Sequence, residues 1–205
     1  MVDVSVVIPY NRDRGWLNEA IASYEAQEFT GTSELILSHD PNQSCAENFN
    51  EGWILEAQGK YIKKLDEDDL LMPNCLQDLF DYAEEKDLDV VFAQSIHICD
   101  GEDIIVIPEF TELSLNVLLS NNFIDGATTL YSHNMLQELG GFDEKLQTAE
   151  EYEFHLRALS SNYVFGYLPH VVAKYRHHSS NKSRILRASS MDRVKYIEEI
   201  QERFQ

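Results

Sequence analysis

The stretch Tyr61-Ile62-Lys63-Lys64-Leu65-Asp66-Glu67-Asp68-Asp69-Leu70-Leu71-Met72-Pro73 sets four carboxylates in a row directly after a run that reads as a buried strand. Like charges that close repel one another, so the chain must either leave them fully solvated or supply a counter-ion. In extended backbone, residues two apart point the same way, so Asp66 and Asp68 can converge on one cation while Glu67 faces away. The alternative is a solvated acidic turn in which Asp69 fixes the approach to a helix beginning near Pro73. The loop lacks the D-x-D-x-D-G order of a calcium-binding hand.

Working outward, the order strand, polar loop, helix occurs three times. Val4–Ile8 is a β-rich run ending in Pro9-Tyr10-Asn11, and Leu17–Glu28 then has helical spacing through Leu17, Ile21 and Tyr24. Glu34–Ser38 leads to Ala46–Gln58, with Phe49, Trp53 and Ala57 on one face, and Tyr61–Leu65 leads to Pro73–Glu85. Tandem β-α units predict an α/β fold, a mostly parallel central sheet with helices on both faces. Ligands of such sheets sit beyond the carboxyl ends of the strands. Those ends are Pro9-Tyr10-Asn11, Ser38-His39-Asp40 and Asp66-Glu67-Asp68-Asp69, so three polar segments are expected to meet at one edge.

The second half is patterned differently. Asp89–Ile98 and Ile104–Ile107 flank the turn-rich Cys99-Asp100-Gly101-Glu102-Asp103, which reads as an antiparallel hairpin. A short helix over Leu113–Leu119, a strand at Ala127–Tyr131, a helix at Asn134–Leu139 and a Gly140-Gly141 stop follow. Tyr152, Leu156 and Leu159 give Glu150–Ser160 a core-facing side, and Met191, Val194, Ile197 and Ile200 do the same for a terminal helix.

Composition bounds the function. At 205 residues the chain can build one sizeable core, and its net charge of −20 is unevenly spread. Residues 1–169 carry 8 Lys/Arg against 32 Asp/Glu, whereas residues 170–205 carry 8 against 4. So acidic a body argues against nucleic acid as partner, and an anionic ligand would need a metal or the basic tail. Three cysteines without a C-x-x-C pair disfavour a disulfide framework and a thiolate zinc site, which suits a reducing, cytoplasmic setting. The apolar runs are too short for an integral membrane span, and none is expected.

Several segments together resemble a known family. Val4-Ser5-Val6-Val7-Ile8-Pro9-Tyr10-Asn11-Arg12 resembles the opening of glycosyltransferase family 2, and Gly59-Lys60-Tyr61-Ile62 with Leu65-Asp66-Glu67-Asp68-Asp69 looks like its G-K-Y-I…L-D-x-D-D segment. Gly140-Gly141-Phe142-Asp143-Glu144 looks like its G-G-F-D-E, Glu150–Arg157 is similar to its E-D-Y-E-x-x-x-R helix, and Tyr175-Arg176-His177-His178…Ser183 to its Y-R-x-H…S tail. Each motif alone is weak, but they keep the family's order across residues 4–183. The resemblance implies a GT-A-type fold as a single domain over 1–205. Its parts would be a nucleotide-binding half (1–98), an acceptor half (99–183) with a small antiparallel or mixed sheet, and a C-terminal helix (184–205).

Carried over by position, the resemblance places Pro9, Tyr10, Asn11 and Asp40 at the donor, with Asp40 accepting from the imino N–H of a uracil or thymine ring. Before Pro41-Asn42, Asp40 also reads as a plain turn cap. Asp66 would meet the ribose or a divalent metal, Mn²⁺ or Mg²⁺, and Asp68 would chelate that ion, with His178 as a third ligand. Arg176, Lys182 and Arg184 could close over the diphosphate, although Arg184 reads better as part of a basic loop packed on the acidic body, and His177 as structural. Glu151 stands where the family has an aspartate general base, with Glu150 as a rival and Glu153–Arg157 as an i, i+4 surface pair. The family's A-R-N triplet appears as Ala46-Glu47-Asn48, which loses a basic residue on the nucleotide side.

The expected activity is an inverting, metal-dependent transfer of a hexose-type sugar from a nucleoside diphosphate donor, first of all a UDP-sugar, to a hydroxyl of a glycan or glycoconjugate. One rival is a non-catalytic nucleotide-sugar-binding domain. The other is a magnesium phosphohydrolase, which would want an aspartate nucleophile after the first strand, where Pro9-Tyr10-Asn11 stands.

Overall fold

A computed structural model describes residues 1–99, 102–181 and 193–205, the first two residues of the last segment by backbone alone. The β-branched residues Val4, Val6, Val7 and Ile8 form β1 (Val4–Tyr10), buried from Val4 to Pro9. A strand enclosed on both faces needs paired neighbours and helices on each side. β2 (Ser33–His39) and β3 (Tyr61–Lys64) flank it in parallel, so that Val6 lies opposite Leu35 on one side and Lys63 on the other. Val4, Val6 and Ile8 pack towards α1 (Leu17–Glu25) and α3 (Cys75–Lys86), meeting Ala20, Leu76 and Leu79. Val7 packs the other way, against Phe49 and Trp53 of α2 (Cys45–Leu55). The two-residue alternation of β1 thus sorts the first three helices onto opposite faces of the sheet.

Beyond β3 the sheet continues through β7 (Leu130–Ser132), β5 (Val90–Cys99), β8 (Phe165–Arg176) and the two-residue β4 (Leu70–Leu71), with β6 (Glu102–Val106) paired to β5. β5 and β8 are parallel to one another, while β7, β4 and β6 run against their neighbours. β1, β2, β3, β5 and β8 therefore share one direction, the mostly parallel sheet that tandem β-α units predict. The antiparallel strands of the second half extend this sheet. The expected hairpin forms as β5 and β6, with residues 100 and 101 of its turn outside the described residues.

β8 is the largest element that the sequence pattern conceals. Gly166 and Pro169 interrupt its twelve residues and read as breaks, but the β5–β8 ladder shifts register between Ala93 and Gln94, where Leu168 and Val171 are the partners. Pro169 falls inside that irregularity, so its missing N–H costs no ladder bond. The strand expected at Ala127–Tyr131 starts late, because Asp125 caps a 3₁₀ turn over Gly126–Thr128.

Among the described residues four further helices follow: α4 (Leu115–Ser120), α5 (His133–Leu139), α6 (Glu150–Ser160) and α7 (Arg193–Gln201). α5 ends at Gly140, whose φ of +81° is a left-handed cap, and Gly141 follows at +73°. A side chain on Gly141 would strike Asn50, which bonds both the N–H and the carbonyl of Phe142 and so locks the Gly-Gly-Phe turn onto α2. α6 is wedged between two clusters, with Phe154 and Ala158 on one side and Tyr152 and Leu156 on the other, the latter with Ile200 of α7.

That wedge corrects one expectation. Glu153 and Arg157 do pair, at 2.8 Å, but Glu153 is only 4% exposed, so its carboxylate is interior while Arg157 stays partly exposed. Arg157 also donates to the carbonyls of Leu139 and Gly141, so it ties α6 to the end of α5. Met191, Lys182, Ser183 and Arg184 lie outside the described residues, as does the side chain of Val194. Among the described residues, no helix is long and apolar enough to cross a membrane.

Candidate active site

The three strand ends meet as expected. Tyr10 stacks on His39 with ring centroids 4.3 Å apart, Asn11 Nδ2 donates to the Gln43 carbonyl at 3.4 Å, and Arg14 pairs with Glu67. Beside this junction opens a cleft of about 240 Å³. Pro9 and Arg14 line it from the first loop, Lys64, Asp66, Glu67 and Asp68 from the third, Thr148 to Tyr152 from the start of α6, and Tyr175, Ser180 and Asn181 from the end of β8 and beyond.

The four carboxylates each find a different solution. Asp66 Oδ2 accepts from Lys64 Nζ at 2.6 Å. Glu67 does not face away into solvent; it is 4% exposed and takes the Arg14 guanidinium. Burial, with Asp68 close by, pushes its carboxyl up to about 7 despite that partner. Asp68 Oδ2 lies 2.8 Å from His178 Nε2. Asp69 accepts the Arg176 N–H at 3.0 Å through Oδ1, while Oδ2 is buried with no partner among the described residues. Burial beside Asp68 and Asp66 holds its carboxyl well above the usual range. The row is thus an anchored loop, partly enclosed, in which Asp66 keeps the most exposure, at 31% of its side chain.

The residues expected at the donor divide. Pro9 and Asp66 border the cleft, whereas Tyr10, Asn11 and Asp40 lie next along the sheet edge, outside its walls. Asp40 Oδ1 accepts from the backbone N–H and the side chain of Asn42, so it caps its turn, and Asn48 holds the Asp40 backbone from α2. Glu47 is explained locally: its carboxylate accepts the Ser44 N–H at 2.6 Å while the Ser44 hydroxyl accepts the Glu47 N–H, a capping box that a basic residue could not make. Arg176 bonds the Asp68 carbonyl and Glu19, bracing the acidic loop, and stacks over Trp16, whose ring also contacts His178. His177 turns aside to His97, with 2.9 Å between ring nitrogens.

The candidate metal ligands can be tested on spacing. Asp68 Oδ2 and His178 Nε2, 2.8 Å apart, are separated about as adjacent ligands of an octahedral ion with bonds of about 2.1 Å would be. Ser180 engages the other nitrogen of His178, the supporting contact that a ligating imidazole needs. The carboxylate suits Mn²⁺ or Mg²⁺, and the imidazole beside it favours the transition ion Mn²⁺ over Mg²⁺. Among the described residues no three such groups already converge, so Asp66 would join only by exchanging Lys64 for the ion.

Glu151 enters from the opposite wall. It lies in the first turn of α6 with Glu150, where carboxylates meet the positive end of the helix dipole. The residue before the helix, Ala149, has φ +60°, a left-handed conformation that costs a non-glycine residue of the order of 1–3 kcal/mol and recurs at functional sites. That bend starts the helix at the cleft edge. Glu151 Oε1 then accepts from Lys64 Nζ at 2.9 Å. Lys64 is 8% exposed; burial opposes its charge, but Asp66 and Glu151 outweigh burial and hold its pKa well above normal. Lys64 and Arg14 are the parts of the site that motif spacing does not reveal.

A mostly parallel sheet whose carboxyl edge presents a D-x-D-D loop to a helix-borne carboxylate across an open cleft has the layout of a GT-A glycosyltransferase. Residues 19–140 match the model of Glycosyl transferase family 2. An uncharacterized glycosyltransferase of Methanocaldococcus jannaschii is 27% identical over 205 residues, spanning 84% of this chain and 70% of the relative. One from Rickettsia prowazekii is 25% identical, spanning 86% and 64%. Among solved structures, Staphylococcus aureus TarS 1-349 in complex with UDP superimposes with a TM-score of 0.70 at 17% identity, over 100% of this chain and 70% of that one. The mannosyltransferase PcManGT of Pyrobaculum calidifontis in complex with GDP-Man and Mn²⁺ gives 0.67 at 16%, over 90% and 60%. The chain spans 43% of the longer TarS chain. The chain belongs to glycosyltransferase family 2.

Proposed function

We propose that this chain transfers a sugar from a nucleoside diphosphate donor to a hydroxyl of a glycan or glycoconjugate, with inversion at the anomeric carbon. The observation that supports it is the pair Asp66 and Glu151, on opposite walls of one cleft and within 2.6 and 2.9 Å of the same Lys64 ammonium. A UDP-sugar is the first donor to try, since TarS structures hold UDP and UDP-GlcNAc, and GDP-mannose is the second.

The acceptor oxygen bonds to the anomeric carbon while the carbon–oxygen bond to the diphosphate breaks on the opposite face, its electron pair leaving with the diphosphate. Glu151 takes the acceptor's proton as the new bond forms. Asp66 and Asp68, with His178, would hold Mn²⁺ or Mg²⁺, which when bound offsets charge on the leaving diphosphate. Arg14 and Arg176 keep the acidic loop in place from behind, Arg14 through the Glu67 carboxylate and Arg176 through the Asp68 carbonyl and the Asp69 side chain, which accepts the Arg176 N–H.

The test is Glu151→Gln, with donor turnover followed by nucleotide release. Losing a general base should slow turnover by about 10²- to 10⁴-fold while donor affinity changes little. Glu150→Gln is the control. Silence in that variant with activity in Glu151→Gln would move the base by one residue, and full activity in both would defeat the catalytic reading.

A further inference from the structure

We propose that Lys64 is a positioning residue for the catalytic base, pressing the Glu151 carboxylate between its own ammonium and the bare Cα of Gly126. The proposal rests on the reading of Glu151 as the base. Lys64 closes β3, and its backbone is registered opposite Val7 of β1, so the root of the side chain is fixed by the sheet. Its ammonium bonds Glu151 Oε1 at 2.9 Å. On the other side, a Cβ placed on Gly126 would lie 2.1 Å from Glu151 Oε2 and 2.5 Å from Oε1. The carboxylate fills the space that any larger residue would occupy.

Gly126 is itself held. It opens a 3₁₀ turn capped by Asp125, which accepts the Ala127 N–H through Oδ1 and bonds Ser95 and His97 through Oδ2. Two elements distant in sequence therefore grip one side chain that would otherwise lose appreciable rotamer freedom during each turnover. Fixing it beforehand is the preorganisation that a proton transfer at hydrogen-bond distance requires. Because Lys64 also holds Asp66 Oδ2 at 2.6 Å, the donor-side carboxylate and the base share one anchor. A glutamate base is intelligible here: its extra methylene lets it rest on Gly126 and still reach Lys64.

A purely structural ion triad would give a different result. The experiment compares wild type with Lys64→Met, Lys64→Arg, Gly126→Ala, Glu151→Gln and the Lys64→Met/Glu151→Gln double variant. Release of UDP from UDP-N-acetylglucosamine and of GDP from GDP-mannose is followed with Mn²⁺ and water as acceptor, with UDP affinity by calorimetry and thermal melting as the fold check. Lys64→Met should lower kcat about 10- to 100-fold with donor KM within about threefold, and Lys64→Arg should recover a large part of it. In the Glu151→Gln background the same change should cost less than about twofold, since there is no base left to position. Gly126→Ala should reproduce the kcat loss while leaving the cation in place. Additive losses in the double variant, an unchanged kcat in Lys64→Met, or a wild-type rate in Gly126→Ala would each overturn the proposal. A silent Glu151→Gln beside an active Lys64→Met refutes Lys64 alone, whereas an active Glu151→Gln refutes the base assignment beneath it.

Discussion

His155 lies one turn along α6 from Glu151 and is 1% exposed, with Nε2 2.9 Å from the Tyr131 hydroxyl and Nδ1 lacking a partner among the described residues. Burial lowers its pKa from 6.5 to about 3, so the folded ring is neutral where the unfolded chain's ring already takes a proton. The unfolded state then binds more protons between these two values. Stability from this group is present above the upper value and is lost as pH falls towards the lower one. Between about pH 7 and pH 5 the loss is about 2 kcal/mol, from roughly 1.36 kcal/mol for each pH unit below the unfolded pKa. The whole protein does not display this directly, because Glu67 is raised to about 7 and Asp69 well above its normal range. Carboxyls raised in the fold act with the opposite sign and stabilise it as pH falls. The informative quantity is wild type minus His155→Met, measured by urea unfolding with chelator present. That difference should shift by about 2 kcal/mol against wild type between the two pH values, and a shift below about 0.5 kcal/mol would refute a neutral, buried ring. Charging this ring also loosens the helix that carries Glu151, so acid inactivation and acid destabilisation should run together.

Asp68→Asn should weaken Mn²⁺-supported UDP binding by about 10- to 100-fold in calorimetry while the melting temperature stays within a few degrees, because the side chain is at the cleft and an amide can still meet His178. Equal affinity with metal and with chelator in the wild type would remove the ion from the mechanism. Arg157→Met should cost about 3–5 kcal/mol in urea unfolding, since it strands a buried Glu153 and releases the carbonyls of Leu139 and Gly141. A loss under about 1 kcal/mol would show that Glu153 finds other solvation.

The first half of the fold was legible because its signals are local. β1 announces itself by β-branching, the periodicity of α1 to α3 by apolar spacing, and the three polar strand ends by their position in the chain. β8 was not legible, since its Gly166 and Pro169 are tolerated only through a register shift in its partner strand, a fact about β5 that β8's own residues do not carry. The interior placement of Glu153 was hidden for a similar reason: i, i+4 spacing establishes the pair, but only the two clusters packed around α6 decide whether water reaches it.

The acidic loop shows the same division within a few residues. Extended spacing would put Asp66 and Asp68 on one side and Glu67 on the other, but the Asp69 N–H closes a turn on the Asp66 carbonyl and Asp66, Glu67 and Asp68 all border the cleft. Spacing cannot say how the repulsion is met, because every partner comes from elsewhere: Arg14 from the first loop, His178 and the Arg176 N–H from the end of β8. Lys64 is the exception in sequence but not in logic. It sits two residues before Asp66, where strand alternation sends both side chains to the same side, yet its second partner is 87 residues away at the start of α6. A lysine there would be an unpaired charge in the sheet if both carboxylates were missing, and Glu151 would lose one of its two holds if the lysine were. The two walls of the cleft therefore share one buried ammonium, and because Asp66 would exchange Lys64 for an ion when donor binds, substitution at Lys64 should be felt at the base far more than in donor affinity.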